Sequence, residues 1–155
     1  MKVKVTDQEI AMISTIANMR SIVSRATGTK DRKMSPESGI QIDIDGLIGE
    51  YAFCKHNNLF MDITPGPKSG TYDCLSRKNK RLDIKTTRYK TGRLLCTLKD
   101  NPDVDVYILA ILDKNLVEFV GYANKNELVK EENITNLGHG KGYALTQDKL
   151  KKFNQ

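Results

Sequence analysis

Leu82-Asp83-Ile84-Lys85 places an acid and a lysine two residues apart, interleaved with aliphatic residues. Alternate side chains of a β-strand share a face, so on a strand Asp83 and Lys85 project together while Leu82 and Ile84 pack on the other side. Asp73 lies upstream, on what the sequence pattern reads as the opposite arm of a hairpin, and is expected across from Asp83. Two carboxylates converging in this way suit a hard divalent cation such as Mg²⁺, which takes oxygen ligands and keeps several of its waters. A cation held there polarises a phosphoryl oxygen and acidifies a bound water. A lysine beside it is placed to hold the attacking water or hydroxide and to neutralise charge in the transition state. None of these roles requires a histidine.

The triplet alone carries little weight. With 19 acids and 18 lysines in 155 residues, about two acid-x-Lys triplets arise by chance. Two occur, Asp83-Ile84-Lys85 and Asp31-Arg32-Lys33, and the second sits in polar sequence with no strand pattern. Context distinguishes the first: a strand, a second acid upstream and a third acid, Glu50, on a predicted helix. Glu50 falls at the border of the apolar face formed by Leu47, Ile48 and Tyr51, which directs its carboxylate toward the sheet. The plainer role for Glu50 is a favourable interaction with the positive end of the helix dipole.

The elements that must position these groups follow from the hydrophobic period. Thr6-Asp7-Gln8-Glu9 matches a capping box and opens a helix carrying Ile13, Ile16, Ala17 and Val23, closed by Thr27-Gly28. Residues 28 to 40 read as a polar connection, and a second helix is expected from about Asp45 to Asn58. Pro65 to Gly70 is a loop. The period then changes to two: strands at Tyr72 to Ser76 and Arg81 to Thr87, joined by Arg77-Lys78-Asn79-Lys80, and a further strand at Leu94 to Leu98. Val104 to Leu112 is nearly uninterrupted Val, Ile and Leu, as in a central strand covered on both faces. Leu116 to Ala123 adds a strand, Asn124 caps a short helix through Val129, and Gly138 to Gly142 is a loop before a short strand and a basic C-terminal helix. This order predicts an α/β fold, a central mixed β-sheet flanked by α-helices, in one domain over residues 1–155 with a helix at 6–27 packed on a core at about 45–150.

The assembly resembles the PD-(D/E)XK nuclease superfamily, the restriction-endonuclease-like fold. The resemblance rests on Gly49-Glu50-Tyr51-Ala52-Phe53 on a helix, Asp73 on one strand and Leu82-Asp83-Ile84-Lys85-Thr86-Thr87 on the next. Tyr72 stands where the family pattern has proline. The resemblance implies a core of helix, three strands, helix, strand. It also implies that Asp73 and Asp83 bind the metal, the Ile84 backbone carbonyl completes the site, Lys85 positions the water, and Glu50 is a helix-borne acid acting directly or through water. Mg²⁺ is the expected cofactor, with Mn²⁺ able to substitute, and a phage or mobile element is a fitting origin.

Charge supports a polyanionic partner. The net charge is +6, and between Arg77 and Arg93 the chain sets Arg77, Lys78, Lys80, Arg81, Lys85, Arg88, Lys90 and Arg93 against the single acid Asp83. Apart from Lys85, these are expected to hold DNA phosphates on either side of the scissile bond; lysines along a solvated hairpin edge are the plainer alternative. Cys54, Cys74 and Cys96 are too few and too widely spaced for a disulfide framework or a zinc site, so they read as buried thiols of a cytoplasmic protein. Tyr89 and Tyr122 are weak base-stacking candidates, as are His139 and Lys141 for DNA contact. The sequence has no signal-peptide pattern, and no apolar run is long enough to cross a bilayer, so no membrane partner is expected. The expectation is a Mg²⁺-dependent endonuclease acting on DNA, with a homodimer among the assemblies it allows. Two alternatives stay open: a non-catalytic DNA- or protein-binding module on the same fold, and a structure-specific resolvase of the Holliday-junction type.

Overall fold

The computed structural model describes residues 1–26, 39–64, 72–99, 103–138 and 140–153. Helix α1 spans Asp7–Ala26. It starts where the capping box predicts: the Thr6 hydroxyl accepts the Glu9 N–H at 3.2 Å and the Thr6 N–H donates to the Glu9 carboxylate at 2.8 Å. Helix α2 spans Gly39–Asn57, an earlier start than Asp45. Ile40 and Ile44 extend the apolar stripe of Leu47 and Ile48 by helical spacing and pack against the core, which carries the helix back toward Gly39. The expected end of α1 at Thr27-Gly28, most of the polar connection before α2, the Asp31 triplet, the Pro65 to Gly70 loop and His139 lie outside the described residues.

Five strands form a mixed sheet: β1 (Lys2–Lys4), β2 (Cys74–Leu75), β3 (Arg81–Thr87), β5 (Val106–Asp113) and β6 (Leu116–Asn124). Their order is β1-β6-β5-β3-β2, with β3 and β5 parallel and the other pairs antiparallel. The edge strand β1 was not expected; its signal is a short alternation in which Val3 and Val5 are buried and Lys2 and Lys4 are exposed. As predicted, β5 is buried on both faces: Ile108, Ala110 and Leu112 join α1 and α2 in one core, and Tyr107 and Leu109 enter a second.

That second core refines the expectation of a sheet flanked by helices: much of the cover on this face is a second, smaller sheet. The strand predicted at Leu94 to Leu98 forms as β4 (Leu94–Thr97), but it pairs with β8 (Lys141–Leu145), which in turn pairs with β7 (Ile134–Asn136), in a separate three-stranded sheet. Leu94, Cys96 and Leu145 point inward with Leu128 of α3 (Lys125–Leu128) to cover Tyr107 and Leu109. The last strand of the predicted order, β8, therefore lies outside the sheet that holds β3. The basic C-terminal helix is also corrected. A 3-10 turn at Gln147–Lys149 leads into extended chain, where Lys151 exchanges two 2.9 Å backbone hydrogen bonds with Tyr122 and Leu150 is buried. Pairing with β6 satisfies backbone groups that a short helix would leave open at its end.

Candidate active site

Strand β3 divides two environments. Leu82 and Ile84 face α2 and belong to its core. Asp83 and Lys85 project the other way, in register with Tyr107 and Leu109 of β5. Asp83 is buried, its side chain 9% exposed, and its Oδ1 lies 2.8 Å from Lys85 Nζ, whose side chain is 43% exposed. Burial opposes the charge on Lys85, but the adjacent Asp83 carboxylate, with Asp73 behind it, outweighs burial and holds the ammonium above its ordinary pKa.

Asp73 is fixed by the ending of β2. The ladder pairs Leu75 with Arg81 and Cys74 with Leu82, so one further regular step on this side would bring Tyr72 opposite Ile84. Instead the Ile84 N–H donates to Asp73 Oδ2 at 2.7 Å, and the Asp73 N–H donates to the Leu82 carbonyl at 2.8 Å. A side-chain carboxylate has taken the acceptor position of a strand carbonyl, which is why the predicted arm from Tyr72 to Ser76 is reduced to two residues. Asp73 is thereby bonded to the residues before and after Asp83. A cavity of about 560 Å³ opens beside it, lined by Phe60, Asp62, Tyr72, Asp73, Cys74 and Asp103.

Glu50 approaches from α2 and is buried. The thiol of Cys74 is pushed far up, first by its hydrogen bond with Cys54, then by burial and by the negative charges around it, Asp73 and Glu50 among them. Glu50 and Asp73 thus both act on the same buried sulfur at the end of β2. All three cysteines are buried and free of disulfides, with Cys54 and Cys74 bridging α2 and β2.

The donor set suits Mg²⁺ in kind, being hard carboxylate oxygen. Among the described residues no three His, Cys, Asp or Glu side chains form a ready metal cage. Mg²⁺ is commonly held by one or two carboxylates with water and substrate phosphate, and Asp73 and Asp83 are the residues that would supply them here.

The basic residues divide into two groups. Arg81 donates through Nε and Nη2 to Asp105 at 3.1 and 2.9 Å, with Asp103 3.6 Å from Nη1. The Arg81 guanidinium holds the Asp105 carboxyl well below the usual carboxylate range. Arg88 forms a two-point pair with Asp45 of α2, one bond 2.6 Å long and the other from Nε to Oδ2. Arg77 donates to the Asn57 carbonyl at 3.1 Å, and Lys90 lies 3.8 Å from Asp113. Lys78, Lys80 and Arg93 are exposed. Sequence reading missed Asp45 and Asp105 as partners of these arginines; the available signal was an acid within the apolar stretch of α2, at Asp45. Tyr122 packs on Phe153 with ring centroids 5.3 Å apart, Tyr89 is exposed, and Lys141 sits exposed at the start of β8. No helix among the described residues is long and apolar enough to cross a membrane.

Comparison of the chain with protein-family models and with curated proteins finds no match.

Proposed function

We propose that this protein is a Mg²⁺-dependent nuclease that hydrolyses DNA phosphodiester bonds, built on a restriction-endonuclease-like core and acting as an endonuclease. The observation that carries this reading is the hydrogen bonding of Asp73 to Leu82 and Ile84, the neighbours of Asp83, at the point where β2 ends and beside the Asp83–Lys85 pair. Mg²⁺, or Mn²⁺ in its place, supplies Lewis-acid polarisation of the scissile phosphoryl group when bound. Asp73, Asp83 and the Ile84 carbonyl would hold it, and Glu50 would contribute directly or through water.

Lys85 has a definite part in this scheme. Its ammonium lies 2.8 Å from the Asp83 carboxylate and is partly exposed. It acts as a donor: it fixes the attacking oxygen and neutralises charge on the phosphoryl oxygens as they become more negative. Asp83 keeps it aimed. Lys78, Lys80 and Arg93, exposed on the same stretch of chain, hold flanking phosphates. Two copies acting together would suit cleavage of both strands.

A non-catalytic nucleic-acid- or protein-binding module is the second reading, favoured by the lack of three clustered metal-binding side chains among the described residues. The test is incubation of purified protein with circular and linear, single- and double-stranded DNA and a four-way junction, in Mg²⁺, Mn²⁺ or EDTA, beside Asp83→Ala. Metal-dependent cutting of circles, lost in the variant, supports an endonuclease. Preference for the junction makes it a resolvase. Binding without cutting of any substrate leaves the non-catalytic module.

A further inference from the structure

Helix α2 packs tightly on β3 where Gly49 meets Thr86. A Cβ at Gly49 would overlap the Thr86 hydroxyl oxygen and stand 3.2 Å from Thr86 Cβ. Thr86 is β-branched, so its χ1 is restricted and its hydroxyl has few other positions to take. That hydroxyl is buried with no hydrogen-bond partner, a cost the fold carries at this contact. One turn earlier on α2, Asp45 is tied to Arg88, two residues beyond Thr86, and accepts a 2.8 Å bond from Gln41. The helix is therefore pinned to β3 at two points, one steric and one ionic. Glu50 is the next residue after the steric one.

We infer that the Gly49–Thr86 contact, held by the Asp45–Arg88 pair, sets how far Glu50 reaches toward Asp73, so that Gly49, Thr86 and Arg88 are positioning residues for metal binding. This inference rests on the nuclease reading above. A side chain at position 49 lifts the helix and withdraws the acid, although helix propensity alone favours alanine over glycine.

The experiment measures Mn²⁺ binding by titration calorimetry, without DNA, on wild type, Gly49→Ala, Thr86→Ala and the double variant, with thermal unfolding of each. Gly49→Ala is expected to weaken Mn²⁺ binding about 10- to 100-fold, the range typical when the support of a metal ligand is disturbed. Thr86→Ala removes the obstructing oxygen, so adding Gly49→Ala in that background restores binding to near the wild-type value. Should Gly49→Ala alone fail to fold, a folded double variant with wild-type-like Mn²⁺ binding carries the same conclusion. Two results overturn the inference alone: unchanged Mn²⁺ affinity in folded Gly49→Ala, or a double variant that binds as weakly as the single one or not at all while wild type binds. Wild type that binds no Mn²⁺ overturns both the inference and the nuclease reading.

Discussion

Two acid–lysine pairs in this protein use the same chemistry for different ends. On the helical side, Glu9 Oε1 lies 2.6 Å from Lys55 Nζ and accepts the Tyr51 hydroxyl at 2.6 Å, while Oε2 takes the Thr6 N–H at 2.8 Å. Every donor belongs to α2 or to the cap of α1, so the carboxylate joins two helices. Lys55, Tyr51 and Thr6 together lower its pKa to about 2. At the sheet, Asp83 and Lys85 come from one strand, two residues apart. They sit where β2 stops, beside a carboxylate standing in for a backbone carbonyl and close to a cavity. The difference lies in what surrounds the pair. A carboxylate bonded between two helices is structural, whereas the proposed function gives the buried one beside the end of β2 a ligand to meet.

The widest separation between the two pairs is in catalysis. Asp73→Ala and Asp83→Ala are expected to abolish metal-dependent cleavage and Lys85→Ala to reduce it about 100- to 1,000-fold, whereas Glu9→Gln leaves single-turnover rates within about twofold of wild type. The ordering is reversed in stability. Because the pKa of Glu9 is lowered in the fold, its contribution is fully present above the ordinary value of 4.5 and is lost as pH falls through about 2. Wild type should thus exceed Glu9→Gln in thermal midpoint at pH 7, with the gap closing between those two values. An equal gap at pH 2 and pH 7 would contradict the assignment.

The basic residues sharpen the comparison further. Arg88→Gln should lower stability by about 1–3 kcal/mol in urea, because it leaves the buried carboxylate of Asp45 without its counter-ion, and should leave the salt dependence of DNA binding unchanged. Lys78→Gln, Lys80→Gln and Arg93→Gln should each leave the urea midpoint unchanged and reduce the slope of log K against log salt by about 0.9. The reverse pattern would make Arg88 the phosphate contact and the other three bystanders.

Much of this arrangement was legible in the residues, and what escaped did so for physical reasons. Strand β3 forms over its predicted span because alternation there is strong, and the Asp83–Lys85 pairing follows from that alternation alone. The Thr6–Glu9 cap was equally local. The shortening of β2 was not legible, since it depends on which acceptor Ile84 N–H takes among groups brought together only by folding. The partners of Arg81 and Arg88 lie far away in sequence, so a basic run that looked uniformly open is partly neutralised by Asp105 and Asp45. Leu94 and Cys96 carried the right period for a strand, but period does not state which sheet a strand joins. The lysines near the C-terminus suggested a helix, and backbone pairing of Lys151 with Tyr122 prevailed.

The most direct measurement is single-turnover cleavage of labelled circular DNA at saturating protein, titrating Mg²⁺, for wild type and Asp83→Asn side by side. The account predicts Mg²⁺-dependent nicking or linearisation by wild type, suppressed by EDTA, and none by Asp83→Asn despite equal DNA binding and an unchanged thermal midpoint. Equal cleavage by the two proteins, or none by wild type on DNA that it binds, would contradict it.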